Sequence, residues 1–284
     1  MKDTLIENQN FAEERALYHA SHVLLDHCSF SGEEDGESAL KEASDVTVRN
    51  CEFRLRYPFW HTGRFLVEHS EFTDTCRAAL WYAADGEVRD STLAGIKALR
   101  ECDRVKLERV TVRSAEFGWK CSGVSFTDCT VTSEYFLLDT KDVHLENVEM
   151  HGKYSFQYTE NVEIRNSRFD TKDAFWHSRN VTVRDSEIRG EYLGWYSEGL
   201  HLINCRIIGT QPLCYCKGLI LENCTVEDGD LAFEYSDVRA DISGEILSVK
   251  NPCSGTITAD RIGKIILEDA VYPNTCRITE RLKK

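Results

Sequence analysis

Small side chains recur along this chain at a nearly constant interval, and apolar residues keep a fixed phase to them. Ala20, Ala43, Thr62, Ala83, Cys102, Cys121, Thr140, Thr159, Ser178, Ser197, Cys216 and Ser236 each close a unit; the seven spacings from Ala83 to Cys216 are all 19 residues. The remaining spacings are 23, 19, 21 and 20, so insertions are short. Counted from each such anchor, the third and fifth residues are mostly apolar, as in Val46 and Val48, Val105 and Leu107, Val181 and Val183, Leu200 and Leu202. Period-two burial of this kind predicts a short strand with one inward face. Seven residues after the anchor, Asn or Asp recurs at Asn50, Asp90, Asp128, Asn147, Asn166, Asp185, Asn204 and Asn223, which marks a corner. A second inward strand follows, for example Cys51 with Phe53 and Ser167 with Phe169, and the last five to seven residues of each unit form a third.

Three strands in 19 residues leave no room for helical crossovers, and a globular sandwich would not repeat its turn residues at fixed phase. The pattern therefore predicts an all-β, single-stranded parallel β-helix of about twelve coils, right-handed by the crossover rule for parallel strands. Residues 15–236 supply the coils, 1–14 are expected to cap one end, and 237–284 to form shorter terminal coils and the second cap.

The residue just before each anchor is never aliphatic: His19, Glu42, His61, Tyr82, Glu101, Lys120, Asp139, Tyr158, His177, Tyr196, Tyr215 and Tyr235. This column points to solvent. The residue before it includes all five tryptophans, Trp60, Trp81, Trp119, Trp176 and Trp195, together with Lys41, Arg100, Gln157 and Glu234. Strict alternation would turn that second column inward, yet the charged members do not suit a core, and the sequence leaves the phase open. Trp60, Trp81, Arg100, Trp119, Tyr158, Trp176, Trp195 and Tyr196 are thus candidate substrate-binding residues for an oligosaccharide, because aromatic platforms beside polar groups suit amphipathic sugar rings. The alternative is an aromatic ladder that stabilises stacked strands with no ligand.

Glu101, Lys120, Asp139 and His177 are the catalytic candidates. Lys120 lies one coil from each of two carboxylates whose Cα atoms would be about 9.6 Å apart at a coil spacing of about 4.8 Å. That separation lies near the upper end for inverting glycoside hydrolysis, and a lysine between acids could instead serve an elimination. A plain ion ladder accounts for the same three residues. Asp173, four residues before His177, would lie about 13 Å away along an extended strand, too far for a preformed pair.

Composition narrows the partners. The net charge of 34 − 48 = −14 disfavours nucleic acid and anionic membranes. The segment Met1–Phe11 has no apolar export signal, and the twelve cysteines include no Cys-x-x-Cys pair, so reduced thiols and a cytoplasmic location are expected. No cofactor or metal site is indicated. Cys214 and Cys216 share a face, but no second pair or histidine follows at zinc-like spacing. A protein partner for the strip is the competing expectation: a groove walled by loops would favour sugar, whereas a flat strip would favour a protein.

The segments GESALKEA (Gly36 to Ala43), RYPFWHT (Arg56 to Thr62), RAALWYA (Arg77 to Ala83), KDAFWHS (Lys172 to Ser178) and GEYLGWYS (Gly190 to Ser197) carry a resemblance. Over roughly Ala16 to Ser236 the chain resembles the pectin-lyase-like right-handed β-helix superfamily. Within it, the chain is similar to an uncharacterised bacterial family. The resemblance implies the fold and raises carbohydrate chemistry as an expectation, either a polysaccharide lyase or a glycoside hydrolase. The Asn-Thr-Asp, Gly-His-Gly and Arg-Ile-Lys signatures of galacturonan hydrolases are not found in this sequence. A hydrogenase label used for some relatives finds no cysteine set here able to hold nickel or an iron–sulfur cluster.

Overall fold

In a computed structural model, which describes residues 3–32 and 37–281, the chain is a parallel β-helix of about 14 turns. Gly36, which opens one of the recurrent segments, and the outermost residues of both expected caps, 1–2 and 282–284, lie outside the described residues. Two compact units divide the chain, Met1–His144 and Leu145–Lys284.

In the first unit the longest side of each coil is a six-residue strand: Ser21–Asp26, Ser44–Arg49, Gly63–Glu68, Ala84–Arg89, Asp103–Glu108 and Ser122–Thr127. These pair in parallel and in register, so Leu25, Val48, Val67, Val88, Leu107 and Phe126 form one buried line. Gly86 breaks the neighbouring line because the Phe65 ring fills its slot: a Cβ there would lie 2.0 Å from Phe65 Cζ. On the next side, Phe11, Phe30, Phe53 and Phe72 stack face to face, with Phe53 centred 4.5 Å from both Phe30 and Phe72.

The turn count exceeds the expected twelve because the coil pattern runs past both outermost anchors. Thr4–Glu7 and Asn10–Phe11 pair in parallel with Ser21–Asp26 and Ser29–Phe30, adding a coil before Ala20. In the second unit Ile164, Val183, Leu202, Leu221, Ala240, Ile257 and Ile278 make one inward line that continues beyond Ser236. There Asp237 pairs with Ser254, so that coil has 254 − 237 = 17 residues at this point, and two sides merge into the long strands Asp237–Lys250 and Ser254–Ile266.

Corners bend through left-handed backbone. The Asn/Asp column holds that conformation at Asn50 (φ 52°), Asp90 (φ 46°), Asn166 (φ 48°), Asp185 (φ 51°) and Asn204 (φ 52°). These are the non-glycine residues that tolerate it best. Their side chains also form a ladder: Asn223 Nδ2 donates to Asn204 Oδ1, and Asn204 Nδ2 to Asp185 Oδ1, each at 2.9 Å.

The small anchors have a polar task as well as a steric one. Thr62 Oγ1 donates to the Leu40 carbonyl at 2.8 Å, Cys102 Sγ to Leu80 at 3.4 Å, Cys216 Sγ to Gly194 at 3.1 Å and Ser236 Oγ to Leu213 at 2.7 Å. Each acceptor lies three residues before the preceding anchor; the Leu40 and Gly194 carbonyls also accept that anchor's backbone N–H, from Ala43 at 3.1 Å and Ser197 at 3.0 Å, so the side chain there fills the oxygen's second acceptor position. Serine, threonine and cysteine therefore interchange in this column, and Cys28, Cys129, Cys205 and Cys224 do the same work in another. All twelve thiols are free, and ten are buried. Burial pushes Cys51, Cys76 and Cys214 up to about 12 and Cys216 up to about 11. Thiolate, the reactive form, is correspondingly scarce. Labelling the native protein with a maleimide is expected to modify Cys253 and Cys276, which are half-buried, well before the other ten. Rapid modification of more than these two would contradict the buried-ladder assignment.

Candidate functional site

The corner before each anchor decides the phase that the sequence leaves open. All twelve residues in the column immediately before the anchor have left-handed backbone, from Glu101 at φ 51° to Tyr196 and Tyr215 at φ 60°. A left-handed residue interrupts the alternation of a strand, so two successive side chains face outward before the anchor turns in. The tryptophan column is accordingly half-buried at Trp60, Trp81, Trp119, Trp176 and Trp195, over a buried layer that includes Phe59, Leu80, Phe175 and Leu213. Tyr158 (56%) and Tyr196 (43%) are among the most exposed large side chains.

In the first unit Trp60 and Trp81 stack at 5.5 Å and 10°, with Lys41 Nζ 4.5 Å above Trp60 and Tyr57 packed against both indoles. Outside them His61 stacks on Tyr82 at 4.8 Å. Further along, Arg100 lies 5.4 Å over Trp119 and pairs with Glu101 at 3.2 Å and Glu116 at 3.7 Å. Tyr82 donates to Glu101, and that bond raises the phenol above its ordinary range. Glu101 is thus held by Arg100 and Tyr82. Lys120 and Asp139 are exposed, and among the described residues Lys120 pairs with neither Glu101 nor Asp139. The three catalytic candidates of this unit share a column but do not converge on one point, and neither do they form an ion ladder.

In the second unit the outer column is a continuous ring stack. Tyr158 and His177 are centred 5.0 Å apart at 10°, His177 and Tyr196 5.1 Å apart at 7°, Tyr196 and Tyr215 4.7 Å apart at 14°. Beneath it Trp176 and Trp195 stack at 5.5 Å and 5°. Both indoles are fixed by hydrogen bonds: Trp176 Nε1 donates to the Tyr192 carbonyl at 2.7 Å and Trp195 Nε1 to that of Gln211 at 2.9 Å. Gln157 Nε2 makes the equivalent bond to Asp173 at 3.1 Å. The fourth catalytic candidate, His177, has ring partners on both faces and, among the described residues, no carboxylate partner. Asp173 is buried, which raises its carboxyl above the usual range, and its Oδ1 has no donor among the described residues.

Two features escape a reading confined to that strip. On the long-strand face of the first unit, Arg49, Glu68, Arg89 and Glu108 alternate in sign from coil to coil, at 3.0, 3.6 and 3.5 Å. Beside them Arg64 grips Asp45 with two bonds of 2.8 Å and holds that carboxyl near 2. The signal, alternating charge at the coil period, was present in the sequence. The other feature is an arginine pair on the corresponding face of the second unit.

A family model described as "Protein of unknown function (DUF3737)" matches residues 4–279. The chain belongs to this family. No curated protein matches it. Among solved structures, this member of the family is similar to the catalytic domain of an α-1,3-glucanase in complex with tetrasaccharides (8% identity, TM-score 0.41), covering 99% of this chain and 64% of that one. It is also similar to the A-module of Azotobacter vinelandii mannuronan C-5 epimerase (10% identity, TM-score 0.35, 98% and 89% covered). The surface adhesin PfbA of Streptococcus pneumoniae matches at 11% identity and a TM-score of 0.36, with 84% and 76% covered. The glucanase domain and the epimerase module are pectin-lyase-like β-helix proteins, and the likeness is one of fold.

Proposed function

We propose that this family member is a non-catalytic interaction module that presents the strip Tyr158, His177, Tyr196 and Tyr215 to a protein partner. The observation that carries this reading is the orientation of the rings. Stacked at about 5 Å along the coil direction, they cover one another's faces and turn their edges, phenol and imidazole, toward solvent. A sugar ring docks on a free aromatic face, which this stack withholds, whereas edge-presented tyrosines are common anchors at protein interfaces. The stack is also fixed before binding, which lowers the entropy cost of association. A reducing compartment, the cytoplasm, suits a chain with twelve free thiols.

An oligosaccharide is the second reading, favoured by the row of polar ring edges. Both are tested on the double variant Tyr158→Ala/Tyr196→Ala, in which two exposed rings are lost and the stability change is expected to stay within about 1 kcal/mol per site. A benzophenone placed at position 158 or 196 should crosslink the same polypeptide in cells. Excess unlabelled native chain should compete that product away and the alanine variant should not. Equal competition by both chains would refute the strip as the interface. Retention of the native chain but not the variant on immobilised polyuronides or neutral glycans would replace the protein reading with the carbohydrate one.

A further inference from the structure

On the long-strand face of the second unit, Arg165 and Arg184 are direct Cα partners in adjacent parallel strands, Glu160–Arg165 and Arg179–Arg184. Two guanidinium groups are thereby placed one above the other, a spacing of about 4.8 Å at the backbone. Like charges directly opposite one another destabilise a strand pair. By contrast, at the last position of the long strands in the first unit, Arg49, Glu68, Arg89 and Glu108 alternate in sign. The preceding strand, Lys141–Glu146, pairs with Glu160–Arg165 and ends in Glu146, but among the described residues no ion pair joins Glu146 to Arg165. Among the described residues neither Arg165 nor Arg184 has an ion-pair partner, and the next coil sets uncharged Ile203 opposite Arg184. This occurs in a protein with a net charge of −14, where acids outnumber bases.

The pair is also the wall of a depression. Arg165, Arg184 and Thr182 line a recess of about 100 Å³ together with Glu163 and Ile164. Ile164 is buried, so it contributes floor rather than a contacting side chain. Thr182, directly opposite Glu163 in the register, adds a hydroxyl donor next to the two guanidiniums. Two forked donors and a hydroxyl around a small polar recess match the acceptor geometry of a single oxyanion. Glu163 at the recess opposes an anion and would weaken its binding.

We propose that Arg165, Arg184 and Thr182 form an oxyanion-binding site, independent of the tyrosine strip, that takes a phosphate or a carboxylate group of a ligand. The bound anion neutralises the stacked guanidiniums and so stabilises the coil pair that carries them.

The test uses the full chain with inorganic phosphate and, in a second arm, acetate, each titrated against chloride at matched ionic strength. Phosphate or acetate should raise the thermal midpoint of the native protein above its value in chloride, because a ligand that binds the folded state alone stabilises it. Whichever anion acts at lower concentration identifies the group. Arg165→Gln and Arg184→Gln should each weaken binding by about tenfold or more, as expected for loss of a charge-assisted fork. Glu163→Gln should tighten it. In chloride the two glutamine variants should melt at or above the native midpoint, since a like-charge contact is gone. The proposal is overturned if neither anion exceeds chloride or the double variant Arg165→Gln/Arg184→Gln retains native affinity. It fails equally if the glutamine variants melt well below native in chloride, which would make the arginines structural.

Discussion

Replacing Phe53 with alanine is expected to destabilise the protein by about 4 kcal/mol, the cost of deleting a fully buried phenyl ring and leaving a cavity. Phe53 is fully buried in the stack, 4.5 Å from Phe30 and from Phe72, with Phe59 edge-on at 5.6 Å. These neighbours belong to other strands of a closely packed interior and cannot collapse into the space without breaking their own stacks. Phe53→Leu, which keeps most of the volume, should cost less than half as much. Urea denaturation of the two variants measures the difference. Equal and small losses would mean that the stack contributes little.

The second large effect is expected at a corner. Asn204 combines left-handed backbone (φ 52°) with two side-chain bonds, one donated to Asp185 and one accepted from Asn223. Asn204→Val removes both bonds and forces a β-branched residue into a conformation it tolerates poorly, at a cost of about 3 kcal/mol in total. Asn204→Gly loses the same bonds without the strain, and about 1 kcal/mol is expected. The order valine below glycine in urea midpoint is the diagnostic result. The reverse order would show that backbone strain is not what selects asparagine there.

These two positions also show what could be read from the residues. Phe53 announces itself by period-two burial and Asn204 by turn chemistry, so the coil and one of its corners were legible. The corner before the anchor was not. Tyrosine, histidine, glutamate and lysine occupy left-handed backbone at Tyr158, His177, Glu101 and Lys120, where propensity alone gives no hint of a turn. Backbone hydrogen bonds to the next coil, such as His177 N to the Trp195 carbonyl at 3.0 Å, hold that conformation against the local preference. With that corner hidden, the phase of the tryptophan column stayed open. The first coil was hidden for a different reason. Thr4–Glu7 is largely exposed, with Leu5 53% accessible, so it shows none of the alternation that marks an inward strand. At the candidate site, charge spacing located Glu101, Lys120 and Asp139 on one column. It could not foresee that Arg100 and Tyr82 would hold Glu101.

The strip exists only if two successive side chains of each coil face outward. Hydroxyl-radical footprinting of the native protein reads this directly at Phe175, Trp176 and His177, three consecutive residues that are buried, half-buried and exposed. Oxidation is expected to be greatest relative to intrinsic reactivity at His177, intermediate at Trp176 and nearly absent at Phe175. Regular strand alternation would instead give Phe175 and His177 similar modification with Trp176 protected, and that result would contradict the left-handed corner and the surface built on it.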